Sequence, residues 1–134
     1  MSMEIYFPTY RELPHDYRPF SNLDYHTFND RSGTFQIKKH WCYIAEIIRD
    51  DTLTRPMYLV KDKEGHESRM AFHLDGRTGS MMRVVTEIPD PPSFNNVPCT
   101  VGSTICVMYA HQHNFMDLTH GVRLEERKSI SVSL

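Results

Sequence analysis

A β-hairpin pattern over residues 57–74 constrains the fold more than any other feature of this sequence. Met57–Lys61 (MYLVK) predicts one strand and His66–Leu74 (HESRMAFHL) predicts the next. The turn Asp62-Lys63-Glu64-Gly65 lies between them, and its glycine can adopt a positive φ. Two predicted strands joined by such a turn are typical of an antiparallel hairpin.

A longer apolar strand is predicted ahead of this hairpin, over residues 35–48. From Trp41 onward, alternation assigns four side chains to each face: Trp41, Tyr43, Ala45 and Ile47 on one, and Cys42, Ile44, Glu46 and Ile48 on the other. Both faces are largely apolar, which predicts a central strand that is covered on both sides. We therefore expect Trp41, the only tryptophan, to be buried.

Further strands are predicted at residues 104–109, 121–125 and 129–134, with a strand or short helix at 81–88. Four prolines exclude regular structure in most of the stretch before residue 98: Pro89, Pro91, Pro92 and Pro98. A long strand, a hairpin, a break and then short strands is the order of an OB-type barrel. The predicted class is therefore all-β, a small OB-like barrel of five to six strands, with an SH3-like barrel or a plain sandwich as alternatives.

The N-terminal region, residues 1–34, differs in composition from the rest. It holds seven aromatic residues and three prolines but no sustained periodicity. We interpret it as an extended aromatic arm that anchors on the barrel of residues 35–134 through single rings. An exposed aromatic binding surface is the alternative.

Composition excludes several classes of protein. The 134 residues suit one domain, and 15 basic against 17 acidic side chains are interspersed without the basic stripe of a duplex-binding protein. No apolar run is long enough for a membrane helix, and the first residues lack a secretory signal. The three cysteines form no CxxC pair, so neither a disulfide framework nor a zinc finger is expected. Together these features predict an intracellular protein, cytoplasmic or nuclear.

Several short motifs follow one another in a distinctive order along residues 37–126. They are His40-Trp41-Cys42, Arg55-Pro56, Val101-Gly102-Ser103-Thr104, Tyr109-Ala110, and Phe115-Met116-Asp117 followed by Gly121-Val122-Arg123. In this order they resemble the β-rich N-terminal region of fungal proteins that carry a MYND-type zinc finger. The finger itself, with its closely spaced Cys pairs, is not in this sequence. Because MYND fingers bind short peptides of partner proteins, the resemblance implies an adaptor or regulatory role, and it implies no catalytic residues.

The richest polar cluster is His111, His113, Asp117 and His120, spaced H-x-H-x3-D-x2-H. Imidazole is a common ligand of transition metals, so a metal-dependent enzyme built on the 111–120 loop is one hypothesis. The favoured interpretation is an exposed loop in which Asp117 caps a turn, with no metal bound.

A second set of candidates lies on the predicted hairpin: Tyr58, Phe72, Arg69, Lys61 and Lys63. An OB-like barrel that binds single-stranded nucleic acid presents aromatic rings beside basic groups, and these residues are tentative binding residues in that sense. The formal charge of −2 weakens this hypothesis, and the same rings are needed to fill a small barrel.

The sequence contains no P-loop, dinucleotide motif or nucleophile elbow. Cys42 lies two residues after His40, but the apolar pattern around it predicts a buried thiol. We therefore predict a non-enzymatic binding or scaffold domain that needs no cofactor and binds a protein partner. Single-stranded nucleic-acid binding is the first alternative, and the metal-dependent enzyme is the second.

Overall fold

The computed structural model of the chain describes residues 4–16, 25–74, 92–94 and 96–134, and over these residues the fold is all-β, as predicted. The strands are β1 Ile5–Tyr6, β2 His26–Asn29, β3 Thr34–Ile37, β4 His40–Asp50, β5 Met57–Lys61, β6 Glu67–Phe72, β7 Ser93–Phe94, β8 Val97–Pro98, β9 Thr104–Met108, β10 His113–Asn114, β11 His120–Leu124 and β12 Ile130–Ser133. Short 3-10 turns lie at Tyr10–Glu12 and Arg127–Ser129. The element expected at 81–88, with Pro89 and Pro91, lies outside the described residues.

The main sheet has the strand order β10-β11-β6-β5-β4-β9-β12, and β1 lies beside β4. The predicted hairpin is present as β5 and β6, and Gly65 in its turn has a φ of 84°. Two pairs are parallel, β6 with β11 and β1 with β4. No pair joins the two ends of this order within the described residues, so closure into a barrel is not confirmed.

The strand predicted over residues 35–48 is two strands. Residues 34–37 form β3 and pair back onto β2, and the backbone bends at Lys38 and Lys39 before β4 begins. The Lys38 N–H donates to the Tyr25 carbonyl at 2.7 Å and so fixes this bend. The predicted boundary between residues 34 and 35 therefore falls inside the β2–β3 hairpin.

The inner face of β4 is buried as predicted, and the outer face is covered only in part, since Cys42 is buried and Ile48 is half-buried. Trp41 is only 1% exposed, which confirms its predicted burial. On the other face, Ile44 and Glu46 are exposed. In the described part of the molecule this face of β4 borders a groove instead of a second layer.

Three residues of the N-terminal region lie in the same core as Trp41: Tyr10, Leu13 and Tyr25. The Tyr25 ring lies 4.9 Å from the Trp41 ring, centroid to centroid. The Trp41 Nε1–H donates to the Ala110 carbonyl at 2.8 Å, which ties the core to the chain beyond β9. The described part of the arm is therefore anchored both by buried side chains and by the pairing of β1 with β4.

Candidate functional site

The candidate site lies where β4 changes its partner strand. On one side of β4, β1 pairs with His40 and Trp41, and β5 pairs with it from Glu46 onward. Strand β9 occupies the opposite side. Within the described residues, residues 42–45 form no ladder pair on the β1 and β5 side, where residues 7–10 of the arm cross from β1 to Asp62. Backbone donors and acceptors at such an edge can pair with another chain.

A groove of about 320 Å³ opens at this gap, and we call it the β1–β5 groove. It is lined by Phe7, Pro8, Ile44, Ala45, Glu46, Lys61, Asp62, Lys63 and Thr104. Two large apolar side chains in it face solvent, because Phe7 is 47% and Ile44 is 38% exposed. Exposed apolar side chains that share one concave surface are typical of a binding site.

The buried carboxylate of Asp62 builds the wall of the groove. Its Oδ2 accepts a hydrogen bond from the Tyr10 N–H at 2.8 Å. Its Oδ1 accepts from the Glu64 N–H at 3.0 Å and from the His66 N–H at 2.9 Å. Lys63 Nζ also donates to the Phe7 carbonyl at 2.6 Å. These bonds join the arm to the β5–β6 turn, so the groove is held open in one shape.

The lining of the groove carries two basic and two acidic side chains. Lys61 and Lys63 lie at its rim, and Glu46 is the acidic side chain opposite Lys61 in the strand register. Asp62 also lines the groove, but its carboxylate is occupied by three backbone N–H groups. The rim therefore presents the Lys61 ammonium and the Glu46 carboxylate to a ligand, while the Lys63 ammonium is already bonded to the Phe7 carbonyl.

Of the binding residues predicted from sequence, only Lys61 and Lys63 lie in this groove. Tyr58 and Phe72 are 1% and 3% exposed, and their rings meet edge to face in the core at 5.7 Å. Arg69 pairs with Asp117 at 3.2 Å and does not line the groove. The expected stacking surface is thus corrected: the two rings fill the core and do not face solvent.

Sequence analysis missed Phe7, Pro8 and Ile44 as site residues. Phe7 and Pro8 meet β4 only through the pairing of the arm with β4, which no local pattern indicates. Ile44 lies in a continuous apolar run, where exposed and buried positions have the same composition.

The structure does not bring the four residues of the 111–120 cluster together. The His111 ring packs on the edge of Trp41, and burial lowers the pKa of His111. His113 is bonded to Asp16. Asp117 Oδ1 accepts from the Thr119 N–H at 3.1 Å, so it caps a turn as the favoured interpretation proposed. Nowhere in the described ranges do three or more His, Cys, Asp or Glu side chains converge in a way that could hold a metal ion.

The three cysteines are free thiols, and two of them are buried. Burial raises the pKa of Cys42 to about 11 and that of Cys99 to about 11. A thiol with a raised pKa is protonated near neutral pH and is a poor nucleophile.

Thiol labelling tests this assignment. At about pH 8, a maleimide or disulfide reagent is expected to modify the half-exposed Cys106 first and to leave Cys42 and Cys99 unmodified. All three thiols are expected to react once the protein is unfolded in urea. Mass spectrometry of the labelled peptides gives the order, and labelling of Cys42 or Cys99 at the rate of Cys106 would contradict the assignment.

Comparison with protein-family models finds no match, and comparison with curated proteins finds no significant relative. Among the described residues, no helix is long and apolar enough to cross a membrane.

Proposed function

We propose that this chain is a non-enzymatic binding domain that holds an extended segment of a protein partner in the β1–β5 groove. One observation carries the proposal: within the described residues, residues 42–45 of β4 form no ladder pair between β1 and β5, beside exposed apolar side chains. Addition of a peptide strand to such an edge supplies affinity through the main chain and specificity through alternate side chains.

The dimensions of the gap set the length of the ligand. A strand rises about 3.3 Å per residue, so the gap suits a peptide core of about four residues and roughly 13 Å. Alternate side chains of that peptide would pack on Phe7 and Ile44. An acidic residue next to the core would meet Lys61 at the rim.

For the fold as a whole, we propose an OB-like barrel. In its favour, β4, β5 and β6 form a meander, β9 flanks β4, and β11 pairs with β6. OB-folds are five-stranded Greek-key barrels that are partly open. A cleft of about 440 Å³, lined by residues 107–111 and 122–126, lies between the strands whose pairing would complete such a barrel.

Two other features support a role in protein binding. The resemblance to the region that precedes a fungal MYND finger suggests an adaptor within a larger set of protein contacts. The three free thiols favour an intracellular site of action, in the cytoplasm or nucleus. Single-stranded nucleic-acid binding is less well supported, because Tyr58 and Phe72 are buried.

Peptide selection tests the proposal. A display library of random peptides, selected on the wild-type protein, is expected to yield short extended sequences with apolar and acidic residues. Ile44→Arg is expected to weaken their binding at least ~10-fold, which corresponds to about 1.4 kcal/mol. Leu53→Arg is the matched control, since Leu53 is exposed and lies outside the groove, and its affinity should equal that of the wild type.

The charge preference has a separate test. Replacement of Lys61 by Glu is expected to shift the preference from acidic to basic flanking residues, and it leaves the Lys63 bond to the Phe7 carbonyl in place. Calorimetry with one acidic and one basic version of a selected peptide measures this. Selection that yields no peptide, or peptides that bind Ile44→Arg as tightly as wild type, would refute the proposed function.

A further inference from the structure

Two imidazole rings meet at the surface next to the parallel pair of β6 and β11. His66 is the residue before β6, and His120 is the first residue of β11. Their Nε2 atoms are 3.1 Å apart, and the ring centroids are 5.2 Å apart. His120 is exposed and His66 is half-buried, so solvent reaches the space beside both nitrogens.

A buried tyrosine holds both rings in place. The Tyr10 ring stacks on His66 at 5.2 Å and 11°, and it contacts His120 at 5.3 Å. Tyr10 is itself fixed at both ends, because its N–H donates to Asp62 and its hydroxyl donates to the Gly121 carbonyl at 3.2 Å. The His66 backbone N–H is also bonded to Asp62. The two nitrogens are thus positioned before any ligand arrives.

We propose that His66 and His120 form a binding site for a first-row transition metal ion, of the class Ni²⁺, Cu²⁺ or Zn²⁺. Neutral imidazole is a preferred ligand of these ions. With metal–nitrogen bonds of about 2.0–2.1 Å, a nitrogen separation of 3.1 Å gives an angle of about 95–100° at the metal. That angle lies between the square-planar or octahedral value and the tetrahedral value.

When the ion binds, the ring that donates between the two Nε2 atoms carries its proton on Nδ1 instead, so that both Nε2 lone pairs can face the ion. Water completes the coordination, because the described residues place no third His, Cys, Asp or Glu ligand at this point. The bound ion can therefore exchange, unlike the ion of a closed structural zinc site. The site does not depend on the proposed peptide groove.

Metal binding here also stabilises the fold. His66 and His120 are 54 residues apart in sequence, so only the native chain brings their nitrogens together. A ligand that binds the native state and not the unfolded state raises the melting temperature in a concentration-dependent way. We expect added Ni²⁺ to raise the melting temperature of the wild type. It should not raise the melting temperature of a variant in which both His66 and His120 are replaced.

Titration calorimetry with NiCl₂ at about pH 7.5 tests the site in the full chain. One equivalent is expected to bind to the wild type. His66→Gln and His120→Gln should each weaken binding at least ~10-fold, because replacing a residue that only hydrogen-bonds to a metal ligand already lowers metal affinity by that factor. His113→Gln is the control, because His113 is bonded to Asp16 outside the pair, and it should bind like the wild type. Absence of Ni²⁺ binding to the wild type, or unchanged binding in both ligand variants, would overturn the proposal.

A second measurement needs no variant and so does not depend on whether each variant folds. Substoichiometric Cu²⁺ broadens the NMR signals of the histidine rings that bind it. The imidazole signals of His66 and His120 are expected to disappear first. If the rings of His113 or another histidine disappear before them, the proposed site is wrong.

Discussion

Replacing Trp41 with alanine is expected to lower the free energy of unfolding by about 3–5 kcal/mol, as for other large aromatic residues in cores. The ring is almost completely buried and contacts the rings of Tyr25 and Tyr109 at 4.9 and 5.1 Å. Its Nε1–H bond to the Ala110 carbonyl is lost as well. The substitution also removes the ring against which Tyr25 packs, so the arm and the sheet are destabilised together.

Urea denaturation followed by circular dichroism measures this loss, since the variant has no tryptophan. Trp41→Phe is the matched control: it keeps most of the apolar contact and loses the hydrogen bond, so its loss should be clearly smaller. In the wild type, the emission of this single tryptophan should be blue-shifted. A loss below about 1 kcal/mol for Trp41→Ala would contradict a core role.

Gly121→Ala is expected to destabilise the protein by about 3 kcal/mol or more, at the upper end of what overpacking costs. A Cβ at this position would lie 1.8 Å from the Arg69 carbonyl oxygen and 2.6 Å from its carbon. Both atoms belong to the backbone of β6, with which Gly121 pairs directly. The parallel strands would have to separate, and the Tyr10 bond to the Gly121 carbonyl would be strained.

Gly102→Ala distinguishes a steric effect from a general intolerance of glycine replacement. Gly102 has a φ of 94°, and nothing lies within 4 Å of a Cβ built there. Its replacement should cost only about 1–2 kcal/mol, the penalty of a left-handed backbone for alanine. Thermal and urea unfolding of both variants give the comparison. A Gly121→Ala variant no less stable than Gly102→Ala would show that β6 and β11 approach less closely than the structure has them.

Local patterns predicted the strands that carry their own signal. Strand β5 has the predicted bounds, and β9 ends one residue earlier than expected. Strand β11 is displaced by one residue towards the N-terminus. Strands β5 and β9 are short apolar runs next to turn residues, and such runs define a strand without clear alternation.

The remaining elements depend on pairing with other strands. Strands β1 and β10 have two residues each, too few for a pattern. The break between β3 and β4 exists because β3 pairs with β2, which alternation within residues 35–48 cannot indicate.

The candidate site was predictable only in part, for the same reason. The hairpin pattern alone predicts Lys61 and Lys63 as binding residues. Phe7 reaches the groove through the arm, and His66 meets His120 through the parallel pair. Tyr58 and Phe72 were assigned to the wrong surface because rings that fill a core and rings that stack on bases show the same alternation.

The parallel pairing of β6 with β11 also fixes the order in which the sheet can assemble. As the chain is synthesised from its N-terminus, the β4–β5–β6 meander can form early because its contacts are local. Its outer edges stay open until residues 104–108 and 121–124 arrive to pair with β4 and β6. Long-range strand pairing of this kind is slow, and open edges are prone to aggregation. A nascent chain halted near residue 74 should therefore need chaperone protection that the full chain does not.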